Sequence, residues 1–509
     1  MENELTHPEV LRDASKAAKG AGIFLLGSLV GAPLTLLTQI IIARLLGVEG
    51  FGLYELGLGI MRLLEIIGRL GLNVAGMRFV SVARIESSGV LKGVILSSLG
   101  LSTAVSAVLA LLLMGTAPMV AETFFRNSAL TAPLRWFALG LVLITLVHVS
   151  SSLLLGFQRT QYKVWVTELA QPSSQLLLVV LFWSFGSGLT GVIWALIASH
   201  LIALIMAVFF LLKLSPELAN SRVAPVWRTK EILAAALPLV FVAILNYLTA
   251  WADTLLLGML GTAAAVGVYR AAWRVSSAMN LLLNATNSIY GPMVAELHSL
   301  SEKDRIAHLY KTTTRWVSYA SVPIFLLLTV VPGEIMGLFG RGFEESSAWL
   351  LRVLALGSLI NCLTGGSGIT LIMLGKQDAL AKISTIGGLL NVGANLVLIP
   401  LWGAMGAALS SSVSVAVSNA VKVFAVLKWY RMHPFDRRVM KFLLHSFLAG
   451  VMLMFLKSLL IPGIWSVALI GLLVFVVCGL LVIKDGRDIV DGKVLIGIVK
   501  VLRKRGSTK

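Results

Sequence analysis

The sequence predicts an all-α, polytopic membrane protein of fourteen transmembrane helices: two parallel-repeat six-helix lobes and two extra helices at the C-terminal end. Three observations predict it. Mean hydropathy is +0.90 and only 13% of the 509 residues are charged, about half the share found in soluble domains. Apolar runs of about 20 residues, the length that crosses a bilayer as a helix, recur from end to end. Landmarks in the first half reappear in the second at an almost constant offset.

The runs begin near Ala17, Phe51, Val90, Thr131, Val164, Leu189, Ile232, Ala264, Thr312, Leu350, Leu380, Ala404, Val439 and Gly463. They divide the chain into an N-terminal tail (1–16), an N-lobe (17–213), a linker (214–230), a C-lobe (231–430), a final helix pair (439–483) and a basic tail (484–509). The N-terminal stretch through Lys16 is polar and leads into a run too long for a signal-peptide core, with no processing site after it.

A formal charge of +18 would suit nucleic acid, but the distribution of the charge excludes that partner. With a cytoplasmic N-terminus, inner loops and tails hold roughly 32 of the 42 Lys and Arg, the signature of the positive-inside rule. The densest groups, Lys428 to Lys441 and Lys500 to Lys509, then lie beside anionic lipid on the cytoplasmic side. An even number of spans returns the C-terminus to the same compartment. Cys362 and Cys478 sit in apolar runs without metal spacing and read as small core residues.

Beyond Lys19 at its start, the first span carries Pro33, Thr35, Thr38 and Gln39 but no charge. The second is different, with Glu55, Arg62, Glu65, Arg69 and Asn73 at steps of 7, 3, 4 and 4. At about 100° per residue these fall within an arc of roughly 80°, a polar stripe in which Arg62 can pair with Glu65 and Glu65 with Arg69.

The repeat is anchored at both ends of a six-helix unit. Leu46-Gly47 and Gly52-Leu53-Tyr54 recur as Leu260-Gly261 and Gly267-Val268-Tyr269, while Gly188 and Gly191 recur as Gly403 and Gly406, at offsets of 214 to 215. Six spans is an even number, so the halves point the same way and are related by an axis along the membrane normal. Shifting the stripe by 215 gives Arg270, Ser277, Asn280, Asn284 and Ser288, and shifting Thr35 and Gln39 by 214 gives Thr249 and Asp253. Four wet faces, from spans one, two, seven and eight, are then expected between the halves.

Charge within a span costs about 2.5 to 3.5 kcal/mol at its centre, so the stretch from Asp253 to Asn287 needs a function. Asp253 lies roughly 8 Å short of the outer end of span seven and Arg270 roughly 9 Å into span eight, at 1.5 Å rise per residue, a depth at which the two can meet. Four arginines, Arg62, Arg69, Arg270 and Arg274, stand against Glu65 and Asp253. That excess favours an anionic ligand, and guanidinium suits phosphate through paired hydrogen bonds. His148 and His200 are lone intramembrane histidines, Glu168 an inner-surface carboxylate and Lys422 a snorkelling cation. No Walker loop, H-E-x-x-H, Cys/His cluster or G-x-S-x-G is present, so enzymatic signatures are lacking.

Three runs carry a family likeness: ARLLGVEGFGLYELGLG (Ala43 to Gly59), DTLLLG with VGVYRAAWRV (Asp253 to Val275) followed by Pro292, and IPLWGAMGAA (Ile399 to Ala408). In order and spacing, and with a 6+6+2 arrangement of spans, the chain resembles polysaccharide flippases of the O-antigen or teichoic acid type within the multidrug/oligosaccharidyl-lipid/polysaccharide exporter superfamily. The resemblance implies two six-helix lobes around a central cavity that opens alternately to either side. It implies a polyprenyl-pyrophosphate-linked oligosaccharide as substrate, membrane lipids as surroundings, a cell-membrane location, and a polysaccharide polymerase and glycosyltransferases as partners. Arg62, Arg270 and Arg274 would hold the pyrophosphate, with Asn284 beside them. Glu65, Arg69, Asp253 and Gln39 would set cavity charge and coupling. No cofactor is implied; H+, Na+ or the membrane potential would drive transport. The first-span arginine of the lipid II flippase branch is missing, and Gln39 stands where drug exporters often carry an acid. A cation-coupled multidrug antiporter of the same superfamily is the alternative.

Overall fold

A computed structural model describes residues 8–459 and 464–485; the basic tail from 486 onward, the expected 439–483 pair at residues 460–463, and the first seven residues lie outside them. Every regular element among the described residues is helical. In chain order these are α1 (Pro8–Gly68), α2 (Leu72–Glu86), α3 (Ser88–Met119), α4 (Thr131–Gly156), α5 (Thr160–Lys163), α6 (Gln171–Ser184), α7 (Gly188–Leu214), α8 (Thr229–Leu260), α9 (Ala263–Ser277), α10 (Asn280–Ser299), α11 (Lys303–Val330), α12 (Pro332–Gly337), α13 (Glu344–Leu363), α14 (Ser367–Met373), α15 (Gln377–Tyr430), α16 (Arg437–Ser458) and α17 (Ile464–Asp485).

Among the described residues nine helical stretches are long and apolar enough to cross a membrane. Two of them are longer than a single crossing needs. The 61 residues of α1 and the 54 of α15 far exceed the roughly 20 needed, and each bends at a glycine, Gly47 and Gly403. The stretches around α9 to α11 are absent from the nine because α9 is only 15 residues long and polar residues, the asparagines of α10 and the lysines, threonines and Arg315 of α11, dilute the hydropathy of the others. Local signals set the helix starts: Ser87 accepts from the Val90 N–H at 3.3 Å and Asp436 from the Val439 N–H at 2.8 Å, each relieving an otherwise unpaired donor.

By compactness the chain falls into two units. The first comprises Met1–Val275, Met336–Leu350 and Gly388–Ser411; the second comprises Ser276–Ile335, Leu351–Gly387 and Ser412–Lys509. Within the first, α2, α3, α4, α7 and the start of α8 bury a core of Leu72, Val94, Val147, Leu153, Ala207 and Ile232. The segment before α8 is fastened to α3: Lys92 donates to the Asn220 carbonyl at 2.7 Å, the Val226 N–H to the Gly89 carbonyl at 2.9 Å, and Arg228 pairs with Glu86. In the second unit, Tyr290, Val294, Tyr310, Leu371 and Val426 form the core.

The duplication read from the offset has a backbone signature. Gly188 and Gly403, 215 apart, both adopt left-handed φ, +54° and +55°, a conformation that costs a side-chain-bearing residue about 1 kcal/mol or more. Gly52 and Gly267, the other repeated pair, meet each other. A Cβ on Gly52 would lie 1.7 Å from the Ala263 carbonyl oxygen and one on Gly267 would lie 2.2 Å from that of Val48. Each glycine thus faces the carbonyl four residues before the other, the reciprocal pattern of a two-fold contact.

One expectation fails locally. The polar stripe from Glu55 to Asn73 does not run down a single helix, because α1 ends at Gly68 and Leu70 and Gly71 take φ of 51° and 72° before α2 begins. Asn73 therefore leaves the face that carries Glu55 to Arg69. Span eight is also interrupted, between α9 and α10, but there Met279 keeps a right-handed conformation.

Candidate functional site

The Gly52/Gly267 crossing brings the next turns of α1 and α9 together. Three residues beyond each glycine stand Glu55 and Arg270, themselves 215 apart, and the Arg270 Nε donates to Glu55 Oε2 at 3.0 Å. The Arg274 guanidinium, one turn further along α9, donates to the other carboxylate oxygen. Glu55 is fully buried, Arg270 is 2% exposed and the Arg274 side chain 15%. Repeat-mates thus meet as opposite charges, and Glu55 joins the carboxylates that balance the four arginines.

Trp251 of α8 organises the rest. Its indole packs against Arg270 at 4.1 Å and against Arg62 at 5.6 Å, while Trp273 lies 4.4 Å from Arg270. Tyr247 stacks on Trp251 with ring centroids 5.7 Å apart and donates to the Gly59 carbonyl. Cations over indole faces gain about 0.5 to 2 kcal/mol, most when desolvated, so the aromatic bed holds guanidinium where lipid alone would expel it. Arg62 is exposed. It is available to a ligand, whereas Arg270 is enclosed by Glu55 and two indoles. Of the two arginines on Trp251, Arg62 is exposed and Arg270 is not.

Two expected pairings are corrected. Asp253 does not take Arg270: its oxygens accept from the Tyr269 hydroxyl at 2.7 Å and from the Asn395 amide at 2.6 Å, and that amide also donates to Asn391 at 3.1 Å. Depth along the spans brings Asp253 and Arg270 to one level, but direction around the helix separates them, because Arg270 points to α1. Nor does Arg62 pair with Glu65. Glu65 bonds Arg69 at 2.9 Å and His148 Nδ1 at 2.6 Å, so His148 is not solitary; His200 is held by the Leu196 carbonyl at 2.8 Å.

Gln39, the repeat-mate of Asp253, is buried, and its Oε1 has no hydrogen-bond partner among the described residues. Asn284 is exposed on α10 in the second unit, one turn after Asn280. There, Asn361 donates to Asn280 at 2.9 Å, Asn419 to Asn361 at 2.9 Å and the Lys422 ammonium to Asn419 at 3.3 Å. Lys422 is tied into an asparagine chain rather than reaching for the surface, a link between helices that no single-helix pattern reveals. Cys362 and Cys478 are free and buried, and no group of three His, Cys, Asp or Glu among the described residues is placed to hold a metal.

Fold and site together define a multi-pass membrane protein built on a duplicated helical unit, with charged side chains buried inside its spans. The polysaccharide biosynthesis protein family model matches residues 17–298, and the MatE model residues 238–397. The chain belongs to the polysaccharide biosynthesis protein family, of the multidrug/oligosaccharidyl-lipid/polysaccharide exporter superfamily. It is 29% identical over 177 residues to a probable low-salt glycan biosynthesis flippase of Haloferax volcanii, covering 35% of this chain and 37% of that protein. The chain thus spans little more than a third of that relative's length. It is 21% identical over 482 residues to an uncharacterized membrane protein of Methanocaldococcus jannaschii, covering 90% and 94%. Among solved structures, the inward closed lipid II flippase MurJ superposes with a TM-score of 0.70 at 15% identity, covering 91% of this chain and 99% of that one.

Proposed function

We propose that the chain is a flippase that moves polyprenyl-pyrophosphate-linked oligosaccharide from the cytoplasmic to the outer leaflet by alternating access, for assembly of a cell-surface polysaccharide. The observation that carries this reading is the set of three guanidiniums within the spans, Arg62 and Arg270 over Trp251 and Arg274 beside Arg270 on the shared carboxylate of Glu55. Guanidinium pairs match the oxygens of adjacent phosphates, and neither a cationic drug nor a neutral lipid needs them. Arg62, exposed, makes first contact with the head group; Arg274 lies next, and Arg270 innermost. Asn284 contributes hydrogen bonds to the sugar, and the lipid tail stays in the bilayer.

Glu65 with Arg69 and His148 tunes the charge of the path, and Asp253 with Gln39 marks the two repeat-related positions where a driving cation acts. The lobes at 17–213 and 231–430 supply the rocking halves, with 439–483 added to them. The protein works in the cytoplasmic membrane beside the polymerase and glycosyltransferases of the same polysaccharide, and performs no covalent chemistry. A cation-coupled drug antiporter would require acids to outnumber bases at this site, and the four arginines exceed Glu55, Glu65 and Asp253.

Complementation of a strain lacking its own flippase, scored for surface glycan, tests the reading. Restoration by the native chain and loss with Arg62→Ala at equal membrane abundance are expected. Surface glycan unchanged by Arg62→Ala would remove the head-group assignment.

A further inference from the structure

We propose that Glu55 is the internal counter-ion of the empty carrier: it occupies the place of the substrate's phosphate on Arg270 and Arg274, yields it when substrate binds and reclaims it on release. This rests on the flippase reading above. One carboxylate with no exposed surface satisfies two guanidiniums, Arg270 through Nε at 3.0 Å and Arg274 through a terminal nitrogen. A carboxylate bridging two guanidiniums presents the same acceptor geometry as a phosphate. Protein alone therefore offsets one of the two positive charges that would otherwise be stranded between two helices and leaves a net positive charge for an anionic head group.

The charge balance makes this a requirement of the cycle rather than an ornament. A flippase returns without cargo, and α1 and α9 approach closely enough at Gly52/Gly267 to exclude any side chain. Two bare guanidiniums beside that crossing would repel each other and resist leaving water. With Glu55 in place the crossing closes. When a head group arrives by way of exposed Arg62 and half-open Arg274, its phosphates compete with Glu55 for the same nitrogens, so part of the binding energy goes to displacing the carboxylate. Apparent affinity is reduced in proportion to the fraction of time the arginines stand unpaired, and at the far side the returning carboxylate displaces the head group.

A merely structural salt bridge predicts something different. Its loss would loosen the protein and weaken binding; loss of an internal competitor tightens binding and stalls turnover. The test uses the full-length protein in detergent and in proteoliposomes with a short-chain polyprenyl-pyrophosphoryl-glucose. Binding is followed by titration calorimetry, and transport by loss of accessible lipid from the outer face. Glu55→Gln should bind about tenfold tighter or more and transport at least about tenfold more slowly, a rise in affinity set against a fall in rate. Glu55→Asp keeps the charge on a shorter arm and should give a smaller shift of both quantities in the same directions.

If the native protein binds the lipid and both variants bind it no more tightly, Glu55 is a structural clamp and the inference fails while the flippase reading stands. Tighter binding with undiminished transport would remove its role in the return step. If the native protein shows no saturable binding, the substrate reading falls and takes this inference with it.

Discussion

Placing a methyl group at either glycine of the α1/α9 crossing should unlock the polar site one turn away. In Gly52→Ala the new Cβ would sit 1.7 Å from the Ala263 carbonyl, and in Gly267→Ala it would sit 2.2 Å from that of Val48. Both neighbours are backbone, so relief requires the helices to part by about 1 Å or more, a form of overpacking that costs about 1 to 3 kcal/mol. Parting them stretches the 3.0 Å bond between Arg270 and Glu55, which lies three residues along each helix. Breaking a buried ion pair adds about 3 to 5 kcal/mol. Each single variant should therefore lose at least about 3 kcal/mol of stability, read as a lowered thermal unfolding midpoint in detergent by tryptophan fluorescence. Because both methyls open one and the same crossing, the double variant should cost clearly less than the two penalties combined. Wild-type midpoints for either single variant, or strict additivity in the double, would refute the reciprocal contact.

Replacing Arg270 and Arg274 together with Ala should abolish transport, but it also strands the Glu55 carboxylate; adding Glu55→Gln should recover membrane abundance without recovering transport, measured by immunoblot and surface glycan. Trp251→Ala removes the bed of Arg62 and Arg270 and should weaken head-group binding by about 0.5 to 2 kcal/mol for each cation–π interaction removed, with Trp251→Phe intermediate in the same calorimetric titration. Asp253→Asn should leave binding of the lipid intact while removing the response of proteoliposome transport to an imposed H+ or Na+ gradient; an unchanged gradient response would exclude Asp253 from coupling. Cys362 and Cys478, at 0% and 2% exposure, should resist maleimide in detergent until the protein is denatured, as read by mass spectrometry.

Much of this arrangement is legible in the sequence because the repeat carries it. The offset of 215 makes Gly52 equivalent to Gly267 and Glu55 equivalent to Arg270, and these pairs meet. What the offset does not state is that equivalent positions touch. That depends on how close each lies to the axis relating the halves, which no one-dimensional spacing encodes. Charge counted along single helices likewise leaves Glu55 out of the balance, since its partners lie on another helix. The break at Leu70 and Gly71 is hidden because isolated glycines, Gly68 and Gly71, inside a helical pattern are weak punctuation. Asp253 finds Tyr269 and Asn395 instead of Arg270 because depth fixes one coordinate of a side chain and its azimuth another. Lys422 and its asparagine chain become visible only across three helices.

The ion pair between Glu55 and Arg270 also bears on ancestry. In a true homodimer, a residue on the dyad confronts its own copy, so the site can be occupied by two acids or two bases but never by one of each. Glycine tolerates such self-encounter, and Gly52 opposite Gly267 preserves it. Glutamate against arginine does not, and so this salt link can have arisen only once the two copies were distinct sequences, free to mutate independently. Divergence thus gave the dyad a polarity that no assembly of identical subunits can possess.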